Sequence, residues 1–338
     1  MARPFLTVLT APIPSTPRRV YQDARRTLRP ILKPNAPPTP QPSPFPGHYA
    51  LVRSVVEGLT EIGADFNFNP RRLREVGRAV YAPENASLRQ AAALKRRGRI
   101  EFLVAGPVNA LFADEADGVL FMPEIDRLIV ASEWVKDFYR DAPSLVAKAR
   151  ACPSGVDARY WTPTPARARR ASAVIYWKSG DEAFCERVED IVRVCGLEPR
   201  RVRSAAGERA HFTHETFRAL LDEAAIGVFL SAFETQGIAL AEAWAMDVPT
   251  LVWDPRAEAT WAGRTFTAGS SAPYLTAATG RVWQSIDELE PALRRALADR
   301  AAFHPRQWVL EHMTDAICSA ALYSIIRDGI MGADVQRP

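Results

Sequence analysis

Residues 226–253, IGVFLSAFETQGIALAEAWAMDVPTLVW, decide how this chain is read. IGVFL (226–230) is a short apolar run bounded by small and polar residues, the mark of a buried strand. Residues 238–246 read as a helix opened by Gly237, and TLVW (250–253) as a second strand. The order is therefore strand, turn, helix, turn, strand. Two glutamates fall inside it: Glu234 in the turn and Glu242 within the helix, with seven residues between them. Free N–H groups at a helix start form an anion site, strongest where glycine lets a phosphate approach closely. Glu242 lies about 7.5 Å along the helix from Gly237 at 1.5 Å per residue, a reach that suits the ribose of a nucleotide whose phosphates rest on the helix end. A plainer reading sets Glu234 against the helix dipole and Glu242 on a solvated face. Against it, Ala239, Leu240, Ala241, Ala243 and Trp244 make the helix largely apolar, and an acid in a buried helix needs a partner.

Working outward, strand and helix signals alternate on both sides. Towards the amino end, FLTVLT (5–10), RAVYAP near residue 80, IEFLVAG and RLIVAS (127–132) read as strands. Helices are expected from Tyr49 to Gly63, from Asn85 to Arg97 with Asn85 as cap, and from Glu133 to Arg140. RYWTPTPARARR, near Tyr160, has no apolar periodicity and reads as a linker. Behind it ASAVIYW (171–177) is a strand, and Glu182–Val194, Phe217–Ala224, Asp287–Ala298 and a long region from Pro305 to Ile326 are helical. Such alternation implies parallel, doubly wound α/β sheets.

Composition bounds the rest. At 338 residues, 47% hydrophobic and 24% charged, the chain has the make-up of an ordinary globular protein with length for two cores. No apolar run reaches the roughly 18 residues that span a bilayer, and the first residues hold too short an apolar stretch for a signal peptide, so a cytoplasmic protein is expected. Pro12–Pro46 holds eleven prolines, and residues 1–47 carry a net charge of +6, leaving −2 on the remaining 291. That segment is a basic arm, and its field suits an acidic acceptor or a membrane surface contacted peripherally. A dedicated nucleic-acid binder would carry its charge across a folded face, so no nucleic acid is expected. The four cysteines lack metal or disulfide spacing and read as buried thiols. The chain also lacks a P-loop, a GxGxxG fingerprint, a GxSxG elbow and an HExxH motif.

At ETQGIALAE, followed by AWAMDVPTLVW, the sequence resembles the retaining glycosyltransferases of the GT-B fold (the family 4-like, group 1 enzymes), whose donor domain carries a Glu, seven residues, Glu signature. More loosely, the resemblance takes in LIVASEW, PSGVDARYWTP and TGRVW. It implies an α/β protein of two Rossmann-like domains facing a cleft: an acceptor domain over 1–160 with the arm at 11–47, a donor domain over 161–304, and a terminal helix over 305–330 that returns to the first domain. It implies transfer of a sugar from a nucleotide diphosphate donor to an unidentified acceptor, with retention, without a metal and without a further cofactor.

By the same resemblance Glu234 approaches the transferred sugar, Glu242 holds the ribose, and the amides of Thr235, Gln236, Gly237 and Ile238 bind the diphosphate. Lys178, just after AVIYW and one of only five lysines, is the cation aimed at the phosphates. The second family arginine has no clear match, Thr235 and Gln236 replace a glycine and an aromatic, and Asp247 stands where glycine commonly closes the helix, in the αL conformation that Asp tolerates. His211 and His214 fall near the expected base pocket and read as turn and capping residues. Gly47, His48, Glu84 and Asn85 are acceptor-side candidates, with loop packing or capping as the plainer role. Two rival functions stay open: a nucleotide-binding protein without turnover, and a nucleotide-sugar epimerase.

Overall fold

The computed structural model describes residues 3–18, 20–21, 49–108, 110–165, 171–203 and 213–335. The chain divides into two compact units: Met1–Ala131 with Lys136–Cys152 and Cys318–Pro338, and Ser132–Val135 with Pro153–Ile317.

The first unit holds a six-stranded sheet, all parallel, in the order β2-β1-β3-β4-β5-β6. Its strands are β1 (Leu6–Val8), β2 (Phe66–Phe68), β3 (Ala79–Ala82), β4 (Phe102–Ala105), β5 (Arg127–Val130) and β6 (Ala149–Ala151). Leu6, Val8, Tyr81, Phe102, Val104 and Ile129 form its core with Leu322, Ile326 and Ile330 of the last helix, Asp315–Val335. Strands buried on both faces read as continuous apolar runs, which is why β3, β4 and β5 were legible and the three-residue β2 and β6 were not. The helix Asn85–Arg96 takes its N-cap at Glu84, in extended backbone, so Asn85 is already helical and is not the cap. The helix expected over Glu133–Arg140 is a 3₁₀ helix, Glu133–Tyr139.

The second unit holds a five-stranded parallel sheet in the order β13-β10-β9-β7-β8. Its strands are β7 (Ser172–Trp177), β8 (Glu198–Arg203), β9 (Ile226–Leu230), β10 (Thr250–Trp253) and β13 (Gly280–Trp283); β11 (Glu258–Trp261) and β12 (Arg264–Thr267) form a separate antiparallel pair. Ile175, Val228, Leu230, Leu251 and Trp283 pack with Val188, Leu289 and Leu293 of the helices Glu182–Val194 and Ile286–Ala298. Strand β8, EPRRVR, escapes an apolar pattern because it is an edge strand, where proline and charge are tolerated. The guanidinium groups of Arg201 and Arg203 lie 5.3 and 4.6 Å from the Trp177 ring.

The long helical region expected over Pro305–Ile326 is two helices, Pro305–His312 and Asp315–Val335. The break falls where Thr314 bridges Val156 and where Gly155 lies so close that a Cβ on it would sit 2.4 Å from the Asp315 Cα. Of the cysteines, Cys152, Cys185 and Cys318 are buried free thiols, while Cys195 is only half-buried, against expectation. Burial pushes Cys152 up to about 12 and Cys185 to about 11. Residues 22–48, including Gly47, His48 and most of the basic arm, lie outside the described residues. The start of the arm is anchored: Ile13 is buried, and its N–H and carbonyl pair with the Gln90 amide at 2.7 and 3.1 Å.

Candidate functional site

In the second sheet the chain runs from β7 outward to β8 and then returns to β9 on the other side of β7. The carboxyl ends of β7 and β9 therefore mark a reversal of strand order, the place where open α/β sheets take ligands. Lys178 and Ser179 leave β7 there, and both amides donate to the Leu230 carbonyl at 2.9 Å. Glu234 arrives four residues beyond β9. The sequence separates Lys178 and Glu234 by 56 residues, and the sheet brings Nζ to 2.8 Å from Oε1. The same carboxylate oxygen accepts from Ser231 Oγ at 2.9 Å, whereas Oε2 accepts nothing among the described residues. Lys178 is one-third exposed and Glu234 about one-sixth, so the pair is open to solvent on one side.

The backbone around Glu234 is fixed at successive groups. Its N–H donates to the Ser270 carbonyl at 3.1 Å and its carbonyl accepts from Trp134 Nε1 at 3.0 Å. Ser132 Oγ donates to the Thr235 carbonyl at 2.6 Å. The Gln236 side chain is buried and pairs with both backbone groups of Ser154, accepting from N–H at 2.9 Å and donating to the carbonyl at 2.7 Å. The side chain is thus used structurally, and what residue 236 has to offer a ligand is its backbone. Gly237 is the N-cap of the helix Ile238–Ala245 with φ +83°, where any Cβ would be strained and would meet Leu240 Cδ1 at 2.9 Å. The first intrahelical bond runs from the Ala241 N–H to the Gly237 carbonyl at 3.1 Å, so the N–H groups of Ile238, Ala239 and Leu240 precede it and open the positive end of the dipole just beyond Glu234 in the chain.

Glu242 sits inside this helix and is 7% exposed, so it does not lie on a solvated face. The Tyr160 phenol nearby is pushed up by burial and by Glu215, with Glu242 and Asp157 adding and Arg218 opposing. Arg218 lies 5.5 Å from the Tyr160 ring. The helix closes as read from the sequence: Asp247 has φ +59°, its N–H donates to the Trp244 carbonyl at 2.8 Å, and the Val248 N–H reaches Ala243 at 3.0 Å, a Schellman motif. Arg306 binds the same helix end, donating to the Ala245 carbonyl at 2.5 Å and to Trp161 at 2.9 Å. His214 opens the helix His214–Glu223 behind the cap Thr213, so it follows the cap instead of forming it; its ring lies 5.9 Å from Trp161. His211 lies outside the described residues. Glu84 and Asn85 belong to the first unit, at the carboxyl end of β3. Among the described residues, no group of three His, Cys, Asp or Glu is placed to hold a metal ion.

Sequence reasoning took Ser132 only as a strand end and missed Trp134, Ser231, Ser270, Ser271 and Asp254. Bonds such as Trp134 to Glu234 across 100 residues and Ser271 to Ala232 across 39 are made only in the folded sheet, and the local bonds of Ser231 leave no pattern in the sequence. Small hydroxyls after a strand carry no periodic signal.

The chain superposes along nearly its whole length on solved structures. HepE of Anabaena, in complex with UDP and glucose, matches with a TM-score of 0.54 at 12% identity, over 96% of this chain and 100% of that one. The lipopolysaccharide outer core galactosyltransferase WaaB in its apo form gives 0.56 at 11%, over 96% and 99%. A sucrose-phosphate synthase from Thermosynechococcus elongatus gives 0.54 at 12%, over 98% and 100%. The fold is GT-B. At these identities the likeness is one of fold, and no family profile and no curated protein matches the sequence itself.

Proposed function

We propose that this chain is a glycosyltransferase that moves a sugar from a nucleotide diphosphate donor to an acceptor hydroxyl with retention. The observation that carries the reading is the Lys178–Glu234 pair at 2.8 Å, set at the strand-order reversal beside the glycine-opened helix Ile238–Ala245. UDP bound in HepE, on the same fold, supports the donor class. In this reading the diphosphate rests on the amides of Thr235, Gln236, Gly237 and Ile238 and on Lys178, Glu242 takes the ribose, and Glu234 Oε2 takes a hydroxyl of the transferred sugar. The leaving diphosphate gathers negative charge as the glycosidic bond breaks, and fixed dipoles and an ammonium aimed at it lower that barrier. A nucleotide-diphosphate release assay over a panel of sugar donors tests the reading. Release with one donor supports it. Tight nucleotide binding with no release from any donor sinks it in favour of a binding protein, and conversion of the donor to its epimer in favour of an epimerase.

Glu242→Ala weakens nucleotide binding by about 1.5 to 3 kcal/mol, the worth of hydrogen bonds to a charged group, with the fold retained. Calorimetry with the nucleotide alone reads this, and parental affinity in a folded variant removes Glu242 from the ribose.

Because Lys178 and the helix amides carry the phosphates in this reading, turnover persists in excess EDTA. Loss restored by magnesium or manganese would contradict that assignment.

No helix among the described residues is long and apolar enough to cross a membrane. We assign encounter with an acidic acceptor or membrane surface to the basic arm. Since Ile13 is anchored on Gln90, the informative deletion is 22–44 rather than the whole arm. Transfer by that variant falls at low salt and matches the parent at high salt, while donor hydrolysis is unchanged. Equal transfer at both salts makes the arm a spacer.

A further inference from the structure

Beyond β10 the chain carries a buried acid that the proposed chemistry does not use. Asp254 is 2% exposed, and its N–H donates to the Trp283 carbonyl at 2.9 Å. Its carboxylate is divided between two partners: Oδ1 accepts from Ser271 Oγ at 3.1 Å and Oδ2 from Arg256 Nε at 2.8 Å. An ion taken out of water at this depth is retained only where its partners satisfy it, and both partners here lead to the same short segment. Arg256 NH1 donates to the Gly269 carbonyl at 2.7 Å, and Ser271 Oγ also reaches the Ala232 carbonyl at 3.0 Å. Arg256 itself has φ +51°, a conformation that L side chains rarely adopt and that persists where surrounding contacts impose it.

One carboxylate thus fastens residues 269–271 at both ends, at Gly269 through Arg256 and at Ser271 directly. The middle residue, Ser270, supplies the carbonyl that accepts the Glu234 N–H. Gly269 also lies against Trp134: a Cβ there would sit 2.8 Å from the indole, whose Nε1 holds the Glu234 carbonyl. Both backbone groups of Glu234 therefore lean on a segment that Asp254 anchors.

We propose that Asp254 is a positioning residue for Glu234, acting through Arg256 and Ser271 to hold residues 269–271 in place; the kinetic part of this rests on the glycosyltransferase reading above. Asp254 touches no reacting atom. Its loss loosens the turn over residues 231–237 while Lys178, the helix from Ile238 on and Glu242 keep their places, so the Glu234 carboxylate wanders and turnover suffers more than nucleotide affinity.

The test uses the full chain with Asp254→Ala, Asp254→Asn and Ser271→Ala. In Asp254→Ala, amide hydrogen exchange over residues 231–237 rises at least tenfold while exchange in Glu182–Val194 stays parental. On a donor that the parent turns over, kcat falls tenfold or more, with KM within threefold and partial recovery in Asp254→Asn. In a Glu234→Gln background the same substitution costs less than threefold more, because the two residues act as a unit. Parental exchange over 231–237 in folded Asp254→Ala, or losses that multiply in the double variant, overturns the proposal. Should Asp254→Ala fail to fold, parental exchange in both Asp254→Asn and Ser271→Ala overturns it equally, and a rise in either supports it. A parent that turns over no donor defeats the glycosyltransferase reading alone, since the exchange result then decides the positioning role by itself.

Discussion

Glu234→Gln lowers nucleotide-sugar turnover by roughly a hundredfold or more while nucleotide binding weakens by no more than about threefold. The substitution keeps size and hydrogen-bonding shape, so Ser231 Oγ retains an acceptor and the backbone bonds to Ser270 and Trp134 are untouched. What goes is the charge. In the parent that charge holds Lys178 at 2.8 Å, so in the proposed reading its removal strips the transferred sugar of a preorganised anionic contact and frees Lys178 to move. Neither loss touches the amides of Gly237 and Ile238 or the buried Glu242, which hold the nucleotide in this reading. The two measurements are nucleotide-diphosphate release under saturating donor and calorimetry with nucleotide alone. Parental release by a folded Glu234→Gln protein would strip Glu234 of its role, and a large loss in both together would make it a binding residue instead.

How much of this was legible in advance follows from what each residue does. The helix Ile238–Ala245 and the strands flanking it were legible because burial on all sides makes an unbroken apolar run, and a lone glutamate in such a run stands out. The αL cap at Asp247 was legible because few side chains tolerate that conformation. Edge strand β8 and the β11–β12 pair were not, since edges and ribbons keep charge and polarity that imitate a loop. Within the site, Lys178 could be singled out by place and rarity, but the Lys178–Glu234 contact needed the parallel register of β7 on β9, in which Trp177 faces Leu230. The serines and Asp254 that brace Glu234 were invisible for the same reason: their meaning is a carbonyl or carboxylate that only the folded sheet brings near.

Lys178→Ala lowers turnover by about 10² to 10³, the range expected when one preorganised charge contact to the developing transition-state charge is removed. Its placement makes the cost large. The Lys178 backbone is tied to the Leu230 carbonyl, so the ammonium starts from a fixed point at the carboxyl end of β7 and spends little freedom in reaching a ligand. Lys178 rests on Glu234; in the proposed reading an arriving diphosphate carries more charge than that one carboxylate and draws the ammonium away, leaving Glu234 for the sugar. Affinity should therefore separate by ligand: the variant loses nucleoside diphosphate binding while nucleoside binding stays within about threefold, because only the phosphates see Lys178. Lys178→Arg keeps the charge but replaces a compact ammonium with a planar fork, so it recovers diphosphate binding better than turnover. Calorimetry with nucleoside and nucleoside diphosphate, alongside release kinetics for both variants, reads all of this. Equal weakening of nucleoside and diphosphate would place Lys178 at the base or ribose, and parental turnover in Lys178→Ala would leave the ion pair a surface contact with no part in leaving-group departure.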